Sequence, residues 1–408
     1  MTEGVLFVHS NFPAQFADLA RTLVARGVRC CAIGSPTAPG VLGVTIVRCP
    51  TSRGSTPDLF PLATRAEADM IRAYAALQGA RQLKERGFDP ALIIGHPGWG
   101  ETVLLREVFP EARQILFHEY FYAGHGLDIG FDLEFGAPTE AMVLAGTTKN
   151  AMMALALTQA DAIVTPTPFQ ASTLPPIFRN AARIIHEGVD IAGIEPGPAE
   201  PFEIEGGPNI APGAPVITHV NRHVEPARGL HILLRALPRL QAKVPDAQTI
   251  IIGDPAGRAY AGQAPDGRTW KDVVLEPLAD RLDLSRIHFT GKLPRERMLA
   301  AMRLSTAHVY YTYPFVLSWS LAEAMASGCY ILASDTAPVR DAIEDGVNGR
   351  LSPFFDDAAL SQAMIEACRT PERFAPLRAA ARQSALAKFD QATGRAAWLD
   401  LIHEVAGI

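Results

Sequence analysis

The sequence lacks several features that would place the protein in a specialised class. No apolar run approaches the ~20 residues of a membrane-spanning helix, and the N-terminus lacks the basic stretch and apolar core of a secretory signal. The five cysteines, Cys30, Cys31, Cys49, Cys329 and Cys368, form no CxxC pair, which argues against a zinc ribbon and a disulfide framework. We therefore expect a cytoplasmic protein in a reduced compartment.

The chain also lacks an excess of basic residues. Of its 408 residues, 37 are Lys or Arg and 43 are Asp or Glu, so the formal net charge is −6. Up to Asp190 there are 15 basic and 18 acidic residues, and the remainder has 22 and 25. Neither part has the basic character of a nucleic-acid-binding domain, so we expect no nucleic-acid partner. Hydrophobic residues make up 48% of the chain, which excludes wholesale disorder.

Short apolar runs alternate with longer amphipathic stretches in the first half of the chain. The runs typical of strands are Val5–His9, Val28–Gly34, Val44–Cys49, Ala91–Gly95, Arg113–His118, Ala162–Thr165 and Arg183–His186. The stretches typical of helices are Pro13–Ala25, Ala63–Arg86 and Thr139–Ala160. This alternation predicts a doubly wound parallel sheet, in which ligands bind beyond the carboxyl ends of the strands.

A proline-rich stretch then interrupts the alternation. Residues 191–215 contain six prolines and show no helical or strand period, which predicts an interdomain linker. Beyond it, strands are predicted at Val216–Val220, Gln248–Gly253, Arg286–Thr290, His308–Tyr311 and Tyr330–Ala333. Helices are predicted at Leu230–Leu240, Trp270–Arg281, Arg295–Arg303, Ser318–Ala326, Asp357–Cys368, Pro371–Ala387 and Thr393–Val405. We expect two α/β domains facing a cleft: residues 1–190, completed by 389–408, and residues 216–388.

One segment with site chemistry runs from Tyr311 to Leu351. A strand leads through a loop into a helix that starts near Ser318 and carries Glu323 about one and a half turns in. The N-terminus of a helix offers free N–H groups and a positive dipole end, which suit a phosphate. A carboxylate further along can accept hydrogen bonds from a ribose diol. The alternative is an ordinary capped helix whose glutamate faces solvent.

A second segment runs from His219 to Leu240. Arg222 follows a strand at once, and Arg228–Gly229 opens a helix. Two arginines at the carboxyl end of a strand can hold a diphosphate through paired hydrogen bonds. The alternative is that they are surface arginines, paired with Glu225 or another acid.

Together these two segments resemble glycosyltransferase family 4, whose members are retaining enzymes of the GT-B fold. The resemblance covers roughly residues 162–387 and keeps the order of the family's motifs. These stand here as Ile184–Asp190, Arg222, Arg228–Gly229, Phe289–Gly291, Glu323–Met325, Ser334–Asp335 and Asp345–Gly349. His9–Phe16 and Phe117–Gly136 resemble a bacterial subgroup of the family with its own acceptor domain.

The resemblance implies two Rossmann-like domains, with the last helix crossing back to the first. It implies transfer of a hexose from a nucleoside-diphosphate sugar to a hydroxyl of a glycan, lipid-linked or small-molecule acceptor, with no metal and no other cofactor. Arg222, Arg228 and His118 match catalytic positions, where the arginines support the departing diphosphate and His118 faces the donor sugar. The matched donor-binding positions are Lys292 and Leu293 near the base, Leu317, Ser318, Trp319 and Ser320 at the helix start, and Glu323 on the ribose.

The sequence departs from the family pattern at position 315. The family's first motif glutamate should lie eight residues before Glu323, but that residue is Phe315. This departure leaves open a protein that binds a nucleotide sugar without cleaving it, and an epimerase on the same fold. A further departure is the HSNFP loop after the first strand, where the family usually has a glycine-rich loop.

Candidate residues on the acceptor side follow strands of the first half. His9, Trp99, Glu101, Glu119 and Tyr120 are the candidates for contact with an acceptor or sugar. For each, the alternative is a structural role: a histidine bonded in the core, a helix-start acid or a packed aromatic ring.

A metal site has little support here. The HEYFY segment departs from the HExxH metalloprotease pattern, because Tyr122 stands where the second histidine belongs. A site that uses Asp128, Asp132 and Glu134 is conceivable, but GT-B enzymes as a class need no metal, so we expect none. Members of this class often touch membranes, which makes the inner membrane face a second candidate location.

Overall fold

The chain divides into two compact units. The computed structural model describes residues 4–191, 193–256, 260 and 262–408. The first unit extends to Gly188 and includes Gln391–Ile408, and the second unit is Val189–Asp390. Within the described residues, no helix has both the length and the apolar character that spanning a bilayer requires.

The first unit contains a parallel sheet. In the described residues its strands β1 to β7 are Val5–Val8, Cys30–Gly34, Thr45–Arg48, Leu92–Gly95, Arg113–Phe117, Ala162–Thr165 and Ala182–Ile184. Their spatial order is β3-β2-β1-β4-β5-β6-β7. Strands β2 and β3 therefore lie on one side of β1, and β4 to β7 lie on the other. The point between β1 and β4, where the strand order reverses, is the strand reversal of this sheet. That reversal creates a crevice beyond the carboxyl ends of these two strands, where ligands of such sheets bind.

Helices cover this sheet, and the last of them comes from the end of the chain. Helices α1 to α6 are Ala17–Ala25, Thr64–Glu85, Glu140–Thr148, Ala151–Leu157, Pro168–Thr173 and Pro176–Arg179, and α14 is Gln391–Ala406. Trp398 of α14 packs between Phe16 and Phe117 in the core. Arg395 also pairs with Asp18 of α1 at 2.9 Å. The last helix therefore returns to the first unit, as the family resemblance implied.

The predicted helix over 139–160 is broken into α3 and α4. Asn150, which lies at the break, is buried, and its side chain bonds both the N–H and the C=O of Tyr122 at 2.9 and 2.7 Å. An asparagine side chain that bonds backbone in this way competes with continuation of a helix. The interruption thus holds the segment after β5 in place.

The second unit repeats the same sheet order. Its main strands β10 to β15 are Val216–His223, Gln248–Asp254, Ile287–Gly291, Ala307–Tyr310, Ile331–Ser334 and Arg350–Ser352. They lie in the order β12-β11-β10-β13-β14-β15, with the reversal between β10 and β13. All the predicted strands are present with ends shifted by a few residues, whereas β15 was not predicted.

The helices of the second unit follow the strands in alternation. Helices α7 to α13 are Leu230–Lys243, Trp270–Leu275, Arg295–Leu304, Trp319–Ala326, Ala337–Arg340, Asp357–Arg369 and Ala375–Phe389. The helix predicted over 270–281 becomes a 3₁₀ helix from Glu276, because Pro277 has no N–H to continue the α-helical bonds.

The stretch 191–215, expected to be a linker, contributes to the core of the second unit. Residue 192 lies outside the described residues. The strands β8 (Phe202–Glu203) and β9 (Asn209–Ile210) pair antiparallel, and Ile194, Phe202 and Ile210 are buried. The prolines give this stretch an irregular backbone. Its spaced apolar residues nevertheless pack into the hydrophobic core of the second unit.

Candidate functional site

The N-terminus of α10 lies at the strand reversal of the second unit. Ser320 donates its hydroxyl hydrogen to the carbonyl of Val220 on β10 at 3.0 Å. Ser318 is the N-cap, and its Oγ accepts the N–H of Ser320 at 3.3 Å. The helix therefore directs its N-terminal dipole end toward the crevice beyond β10 and β13, as predicted.

Arg228 is buried and bridges the loops that follow β10 and β13. Its Nη1 donates to Thr312 Oγ1 at 2.8 Å and to the carbonyl of Val316 at 3.0 Å. Gly229 follows with φ 74°, and a Cβ there would lie 2.2 Å from Tyr311 Cβ. The backbone geometry thus requires the glycine at position 229, while Arg228 supplies the positive charge.

Arg222 differs from Arg228 in its surroundings. It lies at the end of β10, where the pairing with β11 shifts register between Val220 and His223. Its side chain is exposed, and no hydrogen bond or ion pair to another described residue involves it. This guanidinium is therefore available to a ligand. Its role on the diphosphate stays a prediction.

Glu323 is held by a residue that the motif comparison did not identify. Arg295, the first residue of α9, donates from Nε to Glu323 Oε1 at 2.9 Å and from Nη2 to the carbonyl of Asp190 at 2.9 Å. Burial raises the pKa of Glu323, while Arg295 acts to lower it. Glu323 Oε2 has no hydrogen-bond partner among the described residues and remains free for a ligand. The position of Arg295, shortly after the F-x-G strand end, was the available signal.

The expected base-binding residues lie at the carboxyl ends of neighbouring strands. Lys292, just after β12, pairs with Asp254 at the end of β11 at 2.9 Å. Leu293 and Leu317 are partly buried against the core, and Trp319 is 45% exposed. Lys292 and Leu293, the two residues expected near the base, thus follow the carboxyl end of β12, and their contact with a nucleobase stays a prediction.

Phe315 contributes an aromatic ring beside Arg228. Its ring centroid lies 4.9 Å from that of Tyr260 and 6.0 Å from the Arg228 guanidinium carbon. The same guanidinium carbon lies 5.3 Å from the ring centroid of Tyr260. The guanidinium therefore contacts two rings at the place where the family pattern has an acid. Sequence reasoning had not identified Tyr260.

Several residues of the family motifs have structural roles. Ser334 accepts the N–H of Thr312 at 3.1 Å, and Thr336 donates to the carbonyl of Thr312 at 3.1 Å. Asn348 bonds Ala342 and Ser384 through its amide nitrogen. Ser334 of the SD motif thus holds the loop after β13, whereas Asn348 of the DGxxG motif ties its own turn to α13.

Aromatic rings meet at the strand reversal of the first unit. His9 follows β1 and His96 follows β4, and their ring centroids are 5.5 Å apart. Trp99 stacks on His96 at 4.5 Å and meets His9 edge-on at 5.2 Å. His9 and Trp99 were predicted, but His96 was missed. Its position directly after a buried strand would have identified it.

The acidic candidates of the first unit bond to these loops. Glu101 is buried and accepts a hydrogen bond from the hydroxyl of Ser10. Glu119 Oε2 lies 3.3 Å from His96 Nε2. Tyr120 donates to Asp128 at 2.8 Å, so its hydroxyl has an internal partner. The structure thus brings His9, Trp99 and Glu101 together, whereas Tyr120 is buried and bonded within its own loop.

Helix α2 fixes the turn that carries Trp99. The buried Asp69 pairs with both Arg65 and Arg72. Arg65 donates to the carbonyl of Gly98, and Arg72 donates to the carbonyl of Trp99 at 2.9 Å. The two arginines therefore bond the turn to α2, and the Asp69 carboxylate compensates part of their positive charge.

His118 is fully buried directly after β5. Neither ring nitrogen has a hydrogen-bond partner among the described residues. Burial, assisted by His96, lowers the pKa of His118 to about 3, although Glu119 acts to raise it. His118 is consequently neutral at physiological pH, and its contact with a donor sugar stays a prediction.

We expect His118 to make the first unit lose stability in mild acid. Its pKa in the folded chain is below the ordinary value of 6.5, so the unfolded chain gains a proton first as the pH falls. Stability should fall from about pH 6.5 downward, by up to about 1.4 kcal/mol per pH unit for this residue. Urea unfolding between about pH 7 and pH 5 should show a shallower pH slope for His118→Gln. His125→Gln, changed at an exposed histidine, should keep the wild-type slope, and an unchanged slope in His118→Gln would contradict the neutral buried state.

Two family descriptions match the chain. The glycosyl transferase family 4 group matches residues 26–194, and the glycosyl transferases group 1 matches residues 214–370. The narrower resemblance of His9–Phe16 and Phe117–Gly136 to a bacterial subgroup stays a prediction.

Curated relatives match part of the chain. The D-inositol 3-phosphate glycosyltransferase of Nocardia farcinica is 28% identical over 201 residues, which are 48% of this chain and 42% of the relative. The phosphatidyl-myo-inositol mannosyltransferase of Mycolicibacterium smegmatis is 31% identical over 185 residues, which are 44% of this chain and 41% of the relative. The matched parts thus span less than half of these relatives.

Solved structures match over nearly the whole chain. Sucrose-phosphate synthase from Thermosynechococcus elongatus has a TM-score of 0.71 at 17% identity, over 98% of each chain. Anabaena HepE in complex with UDP-glucose has a TM-score of 0.68 at 15% identity, over 98% of this chain and 100% of that one. These likenesses confirm the predicted GT-B fold. The two family matches, one in each half of the chain, support its membership of glycosyltransferase family 4.

Proposed function

We propose that the protein transfers a hexose from a nucleoside-diphosphate sugar to an acceptor hydroxyl, with retention of anomeric configuration. The observation that carries this proposal is the position of Arg228, which spans the strand reversal beside the N-terminus of α10. A cation and a helix dipole end at one crevice suit a ligand with two phosphates. The names of the relatives and the UDP-glucose bound to Anabaena HepE support a donor of this kind.

The chemistry needs little covalent help from the protein. The bond between the sugar's anomeric carbon and the diphosphate oxygen breaks, while the acceptor oxygen forms a bond on the same face. A phosphate oxygen takes the acceptor's proton. Arg222, Arg228 and the α10 N-terminus would stabilise the charge that grows on the diphosphate. Because these groups supply positive charge at the leaving group, we propose that no metal is required.

Glu323 would bind the donor's ribose. Its Oε1 is engaged by Arg295, which fixes the carboxylate, and its Oε2 is free to accept a hydrogen bond. Lys292 and Leu293 would lie near the base, and Trp319 is exposed at the helix start. These residues would contribute to donor affinity more than to the chemical step.

The first unit would bind the acceptor. His9, Trp99 and Glu101 meet at its strand reversal, and His118 is proposed to contact the donor sugar. The acceptors named for the relatives are inositol compounds, one of them a lipid. A lipid-linked acceptor would bring this chain to the inner face of the membrane, and a glycan or small-molecule acceptor would not.

Phe315 favours a second candidate, a protein that binds a nucleotide sugar without transferring the sugar. An aromatic ring stands where the family pattern has an acid, and it contacts Tyr260 and Arg228. Such a protein would hold the diphosphate through Arg228 but would not cleave the donor.

Turnover of nucleotide sugars distinguishes the two candidates. We would incubate the protein with UDP-, GDP- and ADP-hexoses and follow the anomeric proton signals, with and without EDTA. Slow release of one nucleotide, unaffected by EDTA, is the expected result. Saturable donor binding with no turnover, even with a panel of sugar and polyol acceptors, would favour the binding protein. Loss of turnover in EDTA would contradict metal independence.

Removal of either arginine should slow the chemical step. Arg222→Ala and Arg228→Ala are each expected to lower kcat by about 10²- to 10³-fold, the scale for loss of one preorganised stabiliser. Because Arg228 is buried, Arg228→Lys provides a variant that retains a charge. Arg239→Ala, changed on the exposed face of α7, should behave as wild type. Undiminished turnover in both alanine variants would rule out the diphosphate assignment.

Removal of the Glu323 carboxylate should weaken donor binding and leave the chemical step largely unchanged. Glu323→Ala is expected to raise the Kd of the nucleotide about tenfold or more, the scale for a hydrogen bond to a charged group. Isothermal titration with the nucleoside diphosphate measures this change, and Glu296→Ala on exposed α9 is the matched control. Unchanged nucleotide affinity in Glu323→Ala would remove the ribose assignment.

A further inference from the structure

The chain crosses between the two units at two neighbouring places. One crossing lies before Val189, and the other lies after Asp390. The N–H of Val189 donates to the carbonyl of Phe389 at 2.7 Å, and Val189 forms a parallel bridge with Asp390. The segments 188–191 and 389–391, which we call the double crossing, are thus paired side by side.

The first unit also holds the chain closely at these segments. Gly394, near the start of α14, lies against the residues that precede the first crossing, where a Cβ would approach the carbonyl oxygen of His186 to 2.4 Å. The Nδ1 of His186 accepts the N–H of Gly188 at 2.9 Å. Both segments therefore follow a defined path where they leave this unit.

Arg295 joins the double crossing to the proposed ribose-binding carboxylate. Its guanidinium donates from Nε to Glu323 Oε1 at 2.9 Å and from Nη2 to the carbonyl of Asp190 at 2.9 Å. Arg295 is the charged group that faces Glu323, and the Asp190 carboxylate lies 3.8 Å from the Arg295 Nη1. Because Asp190 directly follows Val189, one side chain spans from the carboxylate to the backbone of the double crossing.

Helix α10, which carries Glu323, has a second connection to this region. Arg382 on α13 donates to the carbonyl of Ala326 at the end of α10 at 2.5 Å and to the carbonyl of Ile194 at 2.7 Å. Residues of α10 and α13 also share one hydrophobic core with Val189. A contiguous network of packed and bonded groups therefore connects Glu323 to the double crossing.

We propose that Arg295 is a positioning residue that couples nucleotide binding at Glu323 to the double crossing. This inference rests on the proposed donor site and adds its regulation. A ribose hydroxyl that bonds Glu323 Oε2 fixes the carboxylate, and Arg295 transmits that constraint to Asp190. The coupling is reciprocal, because a change in the affinity of one site through the other must hold in both directions.

The two states that the coupling connects are a closed and an open double crossing. In the closed state the Val189 N–H is bonded to Phe389, and in the open state this hydrogen bond is broken by a local fluctuation. The Val189 amide exchanges its hydrogen with solvent only in the open state. Hydrogen exchange at residues 189–191 therefore measures the equilibrium between the two states.

Hydrogen exchange without nucleotide tests the connection itself on the full chain. Arg295→Gln and Glu323→Ala each remove one end of the connection and should speed exchange at residues 189–191 about threefold or more, the scale for loss of a single hydrogen bond. Arg281→Gln, changed at an exposed position of the same unit, should exchange as wild type. Peptides from α12 are the internal control and should exchange equally in all variants.

Hydrogen exchange with nucleotide tests the transmission. The probes are UDP, GDP and ADP, each at saturating concentration. A nucleotide that binds the wild type should slow exchange at residues 189–191 about threefold or more, and Arg295→Gln should lose this slowing. Arg295→Lys should lose it as well, because a compact ammonium cannot make the two bonds that the planar guanidinium makes.

The pH dependence of nucleotide affinity distinguishes positioning of Glu323 from a general structural defect. Burial raises the pKa of Glu323 and Arg295 acts to lower it, so loss of Arg295 leaves more of the protonated acid as the pH falls. For Arg295→Gln, the ratio of its Kd to the wild-type Kd should be about threefold or more larger at about pH 5.5 than at about pH 8. Arg295→Lys retains the charge and should show the same ratio at both pH values.

Four results would overturn the proposal. They are unchanged exchange at residues 189–191 in Arg295→Gln without nucleotide, slowing by nucleotide that persists in Arg295→Gln or Arg295→Lys, a Kd ratio for Arg295→Gln that is equal at both pH values, and absence of nucleotide binding by the wild type. The first requires no nucleotide, whereas the last overturns the donor site as well. Failure of the coupling and failure of the proposed function are therefore distinguishable.

Discussion

The hydrogen bonds from the buried Arg228 guanidinium to Thr312 and Val316 set the geometry of the second unit's site. They join the loop after β10 to the loop after β13, the neighbouring strands between which the strand order reverses. Gly229 allows this approach, because any side chain there would meet Tyr311. The loop so fixed leads to Ser318, where α10 begins. The crevice beyond β10 and β13 thus depends on Arg228, which both ties the two loops together and carries a positive charge.

The two units use the same sheet order but differ in the electrostatics at their strand reversals. In the second unit an exposed Arg222, a buried Arg228 and the N-terminus of α10 lie at the strand reversal. In the first unit, burial lowers the pKa values of His9 and His118 to about 3, so both are neutral at physiological pH. Arg65 and Arg72 there both pair with the buried Asp69, and burial raises the pKa of Glu101. The same sheet order thus carries different charged groups at its two strand reversals.

The sequence predicted the strands well because parallel strands buried on both faces are continuous apolar runs, as in Val5–Val8. It also located Arg228, Ser318 and Glu323, since these follow strands within short motifs. The predictions were wrong where contacts between residues distant in sequence determine the local structure. Asn150 lies at a helix break and bonds the backbone of Tyr122, which is distant in sequence. Spaced apolar residues such as Ile194 and Phe202 place the expected linker in the core of the second unit.

The missed site residues have the same explanation. His96 and Arg295 each closely follow a strand, but only the fold brings them to His9 and to Glu323. Tyr260 lies in a long polar loop, and only the fold brings it to Phe315. These residues position the site residues that were predicted. Arg295 bonds Glu323, and His96 stacks on Trp99. Motif spacing identifies groups that meet a ligand more readily than groups that orient them.

Phe315 changes the charge balance beside Arg228. A carboxylate beside Arg228 would share its positive charge and reduce the attraction for a diphosphate. An aromatic ring at 6.0 Å instead leaves the guanidinium's charge available and contacts it through its π face. In the proposed donor site the phenylalanine would therefore keep the attraction for phosphate and remove one hydrogen-bond acceptor for sugar hydroxyls. Its effect would fall on which sugar is bound more than on whether a nucleoside diphosphate is bound.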